Sequence, residues 1–444
     1  VSLKRSALLL ALSGPAFGAG AQGESGGLLE DSQWSLLNRL LYDQREYRHG
    51  GRNGAARNAY KPRGGRNGYA QEWAYGLMGS LQSGFTRGTV GLGLDAHLYQ
   101  GVLLDSGGGR AGKARLVGLD NEGHPKDSFG RGGVALKARL SSTTLHWGEQ
   151  RVKTPVFSSS DSRLLPETAT GLFLSSEEID GLRLVGGHFT ESTDRNASSH
   201  DQGFVVNYSN ARQGDAFDLM GATYVPREGA SVSLFTSRYQ DNWRQDYLGA
   251  SLSRPLGEGR ALSLDLNLYR SRDTGQALSG RIDNTTWSLQ GGYAFGPHRV
   301  SLGYQRVGGD TPFDYVTRGA IFLGNAVQLS DFNAPHERSW QLRYDLDLAP
   351  LGARGLSLSA AYVRGSGIDG SHVDPRGGYA YLGYGEGGRH WERDLMLQYR
   401  VTEGPAKGLR LVLMHNSHRA NAAQAELDTD QLRLALEYPL GGTF

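Results

Sequence analysis

The chain has no cysteine among its 444 residues, which excludes disulfide staples and thiolate metal sites. The absence also suits a polypeptide that crosses an oxidising compartment unfolded, where a stray thiol could mispair. An excess of either charge is missing too: the net charge is +2, so nothing marks a polyanion binder, and no nucleic-acid partner is expected. Past the N-terminus no apolar run reaches the roughly 20 residues of a membrane helix. Mean hydropathy is −0.45, as in a water-soluble protein, or in a barrel where only alternate residues meet lipid. Catalytic signatures are equally scarce. No G-x-S-x-G elbow and no H-E-x-x-H occur. The near P-loop from Gly107 to Lys113 ends in Ala114 where Ser or Thr is required, and no helical pattern follows. Gly91-x-Gly93-x-x-Ala96 lies inside an alternating segment, and His415 and His418 are three apart, which is wrong for one face of a strand. No catalytic residue, cofactor or metal site is expected.

What is present is glycine (65) and tyrosine (21), suited to tight turns between strands and to aromatic girdles. The first 21 residues read as a secretory signal. Lys4 and Arg5 form a basic start, Ala7 to Leu12 an apolar core, and Ala19-Gly20-Ala21 a cleavage site. Residues 22–444 then form one unit without a domain boundary. Its dominant period is two. Leu432, Leu434, Leu436, Tyr438 and Leu440 share one face against Gln431, Arg433 and Glu437. Trp340, Leu342, Tyr344 and Leu346 oppose Gln341, Arg343, Asp345 and Asp347, and Leu409, Leu411 and Leu413 oppose Arg410. Such segments run to about ten residues, the length of a tilted strand crossing a bilayer. A last strand ending in Phe444 fits a barrel delivered to the outer membrane. Closure of the sheet makes such strands viable in lipid, because it leaves no unpaired edge. Residues 48–67 carry six Lys or Arg and no acid, as expected of an external loop that is solvated or meets lipopolysaccharide phosphates.

The words EDSQWSLLNR at 30–39, QEWAYGLMGSLQSGFTRGTVGLGLDA at 71–96, and TPVFSSSDSRLLPETATG at 154–171 carry a family resemblance. GYQRVGGDTPFDY at 303–315, FNAPHERSWQLRYDLD at 332–347 and HWERDL at 390–395 continue it in order. The sequence resembles the OprD-type porins, the outer-membrane carboxylate channels, over essentially all of residues 22–444. The resemblance implies an all-β fold: a transmembrane antiparallel barrel of about 18 strands, wide enough for a watery lumen. It also implies a third external loop folded inward as a constriction, here Pro155 to Gly171. Constriction residues would be Ser158, Ser159, Ser160, Asp161, Arg163 and Glu167. A row of basic side chains would guide carboxylates; Arg39 and Arg343 match it, and Arg410 is inward by parity. Arginine suits that task because it stays charged and offers two parallel N–H donors. GGDTPFDY would supply a facing acidic and aromatic wall of Asp310, Asp314 and Tyr315. Departures thin the positive row: Ala70 replaces an arginine, Val412 and Met414 stand where two more are usual, and Glu167 replaces glutamine. The implied function is passive uptake of small carboxylates such as amino acids and aromatic acids. The alternatives are a non-selective diffusion porin and, from another class, an outer-membrane barrel hydrolase. Partners would be those solutes, outer-membrane lipid, lipopolysaccharide and the barrel-assembly machinery.

Overall fold

The computed structural model describes residues 27–106, 109–200 and 203–444. The expected signal at 1–21 lies outside the described residues.

Alternation of side chains gives eighteen strands. They are β1 (Gln33–Tyr47), β2 (Tyr69–Gln82), β3 (Val90–Asp105), β4 (Ser128–Leu140), β5 (Thr143–Gln150) and β6 (Thr168–Ile179). Then follow β7 (Leu182–Thr193), β8 (Phe217–Arg227), β9 (Ala230–Tyr239), β10 (Trp243–Gly257), β11 (Arg260–Asp273) and β12 (Asp283–Phe295). The last are β13 (His298–Gly308), β14 (Arg338–Asp347), β15 (Leu356–Asp369), β16 (Glu386–Arg400), β17 (Arg410–Ala420) and β18 (Thr429–Thr443). Each strand pairs antiparallel with the next, and β1 closes the ring on β18 from Gln33↔Thr443 to Tyr47↔Thr429. Every wall N–H and C=O can thus be satisfied within the sheet, the condition for spanning hydrocarbon.

The barrel is inside out relative to a water-soluble sheet. Outward Leu434, Leu342, Leu264 and Leu302 are 41–62% exposed, whereas inward Glu72, Thr286, Gln305 and Asn416 are fully buried. An apolar belt of that kind is stable only against lipid tails. The two-residue turns 141–142, 180–181, 228–229, 258–259 and 296–297 all lie at one end. The long connections 48–68, 106–127, 151–167, 194–216, 309–337 and 370–385 lie at the other, as in outer-membrane barrels.

Among the described residues there is no single core. Two apolar clusters form where long connections fold back against the inner wall. One joins Phe157 to Phe189, Phe217, Tyr239, Tyr269 and Phe313. The other joins Leu164, Leu165, Leu116 and Val117 to Leu41, Ala74 and Met78.

Candidate functional site

Loop 151–167 runs between these two clusters. Phe157 stacks on Phe189 at 4.7 Å and lies 4.7 Å from Phe217, which fixes one end against β7 and β8. Leu164 and Leu165 fix the other end against β1 and β2. A Cβ on Gly76 would stand 3.0 Å from the Leu164 carbonyl oxygen, so β2 has no room there for a side chain. Between the two anchors lie residues 158–163, polar throughout, a span of at most about 25 Å. Apolar pegs hold a hydrophilic segment away from its own strands.

Charged wall residues complete the fastening through backbone groups. Arg39 Nη1 donates to Asp161 Oδ1 at 2.8 Å, to the Arg163 carbonyl at 2.7 Å and to the Leu164 carbonyl at 3.3 Å. Its Nε reaches Glu437 at 2.8 Å. Glu72 accepts three N–H groups of loop 106–127, from Gly112, Ala114 and Leu116, at 2.8–2.9 Å. Glu392 accepts Leu329 N–H and Ser330 N–H from loop 309–337, at 2.7 and 2.9 Å. Gln305 donates to the Asp331 and Phe332 carbonyls of the same loop. The loops also lock together: Gly319 N–H donates to the Ser158 carbonyl at 3.1 Å, where a Cβ on Gly319 would collide at 2.6 Å.

The expected constriction residues therefore divide. Ser158 and Ser160 are buried and hold backbone, the first against Thr317 and the second through its N–H to Glu167. Glu167 is also fully buried, accepting the Arg318 N–H at 3.0 Å. Ser159, Asp161 and Arg163 remain partly exposed, and Ser162, absent from the expected set, is exposed. Burial, then the nearby Asp194 carboxylate, pushes the Glu167 pKa up to about 7. Asp194 itself is half-buried, and the hydrogen bonds and charge of Arg318 outweigh its desolvation and hold its pKa down to about 2.

Of the three expected ladder residues, Arg343 and Arg410 keep about a third of their side chains exposed. Arg343 forks onto Asp345 at 2.7–3.1 Å, and Arg410 bonds Gln398 and Glu437 at 2.8–2.9 Å. Arg39 is only 6% exposed, with its Nε and Nη1 engaged by Glu437 and the loop. It fastens the loop and presents no open face to a solute. A further cluster of positive charge lies elsewhere. Burial and then Arg433, Arg195 and Arg45 drive the pKa of Arg163 well below the ordinary value. Asp43, paired with Arg45 at 3.1 Å, is the one acid among its leading influences. The buried Nε of Arg163, Arg195 and Arg433 have no hydrogen-bond acceptor. Lys113 and Arg115 on loop 106–127 are both exposed and extend this basic surface. Although its surface is open to the lumen, desolvation by the surrounding protein, followed by Arg45 and Arg115, lowers the Lys113 pKa, with Glu426 opposing.

The expected acidic wall is only partly assembled. Asp310 is exposed on loop 309–337 and meets His336 at 2.9 Å. Asp314 is buried and accepts the backbone N–H of Tyr208, Ser209 and Tyr315. Burial pushes its pKa up to about 6. It organises the loop and offers no open carboxylate. Tyr315, also buried, donates its hydroxyl to Asp331 Oδ2 at 2.7 Å, and Tyr208 donates to the same oxygen at 2.6 Å. Asp331 is the partly exposed acid of this side.

The Glu167 charge gives a pH-dependent prediction. The carboxyl is neutral below about 7 and negative above it. The ratio of K⁺ to Cl⁻ permeability, from reversal potentials in a salt gradient, should rise between pH 6 and 8. In Glu167→Gln that step should vanish. Stability moves the opposite way: the folded chain retains a proton that the unfolded chain has lost, so stability declines as pH rises from the ordinary carboxylate range through about 7.

A closed, lipid-belted barrel whose lumen is narrowed by inward loops is an outer-membrane porin. The particular family follows from comparison: the model of "outer membrane porin, OprD family" matches residues 26–441, and the chain belongs to that family. Porin D of Pseudomonas aeruginosa is 40% identical over 429 residues, covering 94% of this chain and 93% of that one. A crystal structure of Pseudomonas aeruginosa OprD superposes with a TM-score of 0.80 at 38% identity, covering 94% and 97% of the two chains. A structure of Pseudomonas aeruginosa OpdK with vanillate gives a TM-score of 0.82 at 34% identity, covering 94% and 100%. These relatives are channels, and their setting is the outer membrane.

Proposed function

We propose that this porin passes small carboxylate-bearing solutes, drawn to the basic cluster around Arg163. The observation that carries the reading is the charge imbalance there. Three guanidiniums and one carboxylate are the leading charged neighbours of Arg163, and among the described residues the buried Nε–H groups of Arg163, Arg195 and Arg433 have no hydrogen-bond acceptor. A carboxylate supplies both the missing charge and the missing acceptors. Arg343 and Arg410, each about a third exposed, would be further stations along the lumen, each weak enough in its hold to release a solute. Tyr208, Tyr315 and Asp331 would favour solutes that also carry a hydroxyl or an amino group. The OpdK relative, bound to an aromatic carboxylate, supports this class of substrate. At the rim, exposed Arg52, Arg57 and Arg63 would meet lipopolysaccharide phosphates.

The test is flux through purified, folded protein in liposomes. Arg163→Gln and Arg343→Gln should each slow a carboxylate such as benzoate while a neutral sugar of similar size passes as before. High salt should mimic the loss in the wild type, because lumen charges are screened within about 8–10 Å at physiological strength. A folded Arg163→Gln/Arg343→Gln variant that moves benzoate at the wild-type rate would make the channel a non-selective sieve.

A further inference from the structure

Two histidines and a glutamate outside the basic cluster converge where β16 and β17 meet loop 421–428. His390 and His418 point inward and are buried to 3% and 2% exposure, while Glu426 keeps 30% of its side chain open. His390 Nδ1 lies 2.9 Å from His418 Nε2, and Glu426 Oε2 stands 3.0 Å from His418 Nε2 and 3.6 Å from His390 Nδ1. We propose that these three atoms form a binding site for a divalent transition metal of the zinc type.

The geometry supports it in two independent ways. Ligands at about 2.0–2.1 Å in a tetrahedron lie about 3.3 Å apart, and the three observed separations bracket that edge. The outer partners of each ligand are those that a metal site needs. His390 Nε2 meets Glu337 Oε1 at 2.6 Å, and Glu337 is held in turn by the Ala334 N–H. His418 Nδ1 faces the Leu427 carbonyl at 3.3 Å, and Glu426 Oε1 accepts from Ser330 Oγ at 3.3 Å. Glu337 and the Leu427 carbonyl are acceptors, so each imidazole places its N–H outward. Two ring lone pairs and a carboxylate oxygen then converge on one point. Phe332 stacks on the His390 ring at 4.1 Å and fixes its plane. Two imidazoles and a carboxylate suit Zn²⁺ or Cu²⁺ and do not suit Mg²⁺ or Ca²⁺. Three protein ligands leave a fourth position on the side where Glu426 is open to water. A metal there would tie the β16–β17 wall to loop 421–428 and, through Glu337, to loop 309–337.

The experiment uses the full chain without a polyhistidine tag, stripped with a chelator and folded in detergent. Zn²⁺ is titrated by calorimetry, and Co²⁺ is followed by its visible absorption. One ion per chain and a tetrahedral Co²⁺ spectrum are expected. Both should disappear in a His418→Gln/Glu426→Gln variant whose heat-modifiable migration shows a folded barrel. Glu337→Gln removes only the outer carboxylate and should weaken binding about 10–100-fold. A wild type that binds no more Zn²⁺ than the folded double variant overturns the proposal. Should the variant fail to fold, the wild type decides alone: Zn²⁺ must raise its unfolding temperature, and no shift overturns the proposal.

Discussion

Replacing Arg39 with Gln should turn a steady channel into one that flickers between the wild-type conductance and a larger one. The four contacts of Arg39 set the direction of this effect. The Gln variant strands neither carboxylate, because Asp161 keeps Arg151 at 3.0 Å and Glu437 keeps Arg410 at 2.8 Å. It does remove the donors to the Arg163 and Leu164 carbonyls. Breaking a buried ion pair costs about 3–5 kcal/mol, and the retained partners bring this case towards the lower figure. Against that loss, burial of Leu164 and Leu165 still holds the loop by roughly 1.5–3 kcal/mol per side chain. Loss and hold are comparable, so the loop should detach part of the time and not leave permanently. Arg343→Gln touches no loop and should leave single-channel conductance steady. A steady, wild-type conductance in a folded Arg39→Gln channel would show that the apolar pegs alone hold the constriction.

The architecture was legible because it rests on a local pattern. Alternation on β14 and β18 assigned Trp340, Leu342, Leu432 and Leu434 to the outside and Gln341, Gln431 and Arg433 to the inside, and the strands confirm it. Roles inside the lumen were much less legible, because parity states which way a side chain points and not what comes to meet it. Arg39 and Arg343 share type and orientation, yet one is sealed under a loop and the other is partly open. Loop 106–127 is Gly-rich and charged in sequence. Its inward course depends on Glu72, more than thirty residues earlier, and on the apolar pair Leu116–Val117 within it. That pair, two apolar residues inside a charged loop, was the available signal. Asp314 was expected on an open acidic wall, and only tertiary structure brings three N–H groups to it and buries it. The pairing of His390 with His418 was hidden because cross-strand neighbours are distant in sequence. The visible pair, His415 and His418, does split between the two faces, with His415 exposed and His418 buried.

Glu72 should prove the more consequential fastening, and Glu72→Ala should give a uniformly wider and less anion-selective channel. Its carboxylate satisfies three N–H groups of one loop at 2.8–2.9 Å in a fully buried position. Each buried donor left without a partner costs about 1–3 kcal/mol, hence roughly 3–9 kcal/mol for the three. The pegs Leu116 and Val117 supply about 3–6 kcal/mol together through their buried apolar area. Here the loss outweighs the hold, and the cheapest remedy is for the loop to swing out and hydrate its backbone. Lys113 and Arg115 would leave with it, removing two cations from the basic surface. Benzoate flux relative to a neutral sugar should therefore fall even as conductance rises. Glu72→Gln retains one acceptor oxygen and should fall between the two. Because Leu116 and Val117 share an apolar cluster with Leu164 and Leu165, the two fastenings are coupled. In an Arg39→Gln/Glu72→Ala channel the loop 151–167 loses part of its packing surface, so flicker should give way to a lasting high-conductance state. The expected departure from additivity is about 0.5–3 kcal/mol, read from the occupancies of the two conductance levels. Strict additivity, or a Glu72→Ala channel with wild-type conductance and selectivity, would mean that loop 106–127 is held by its apolar pegs and that its cations do not act on the solute path.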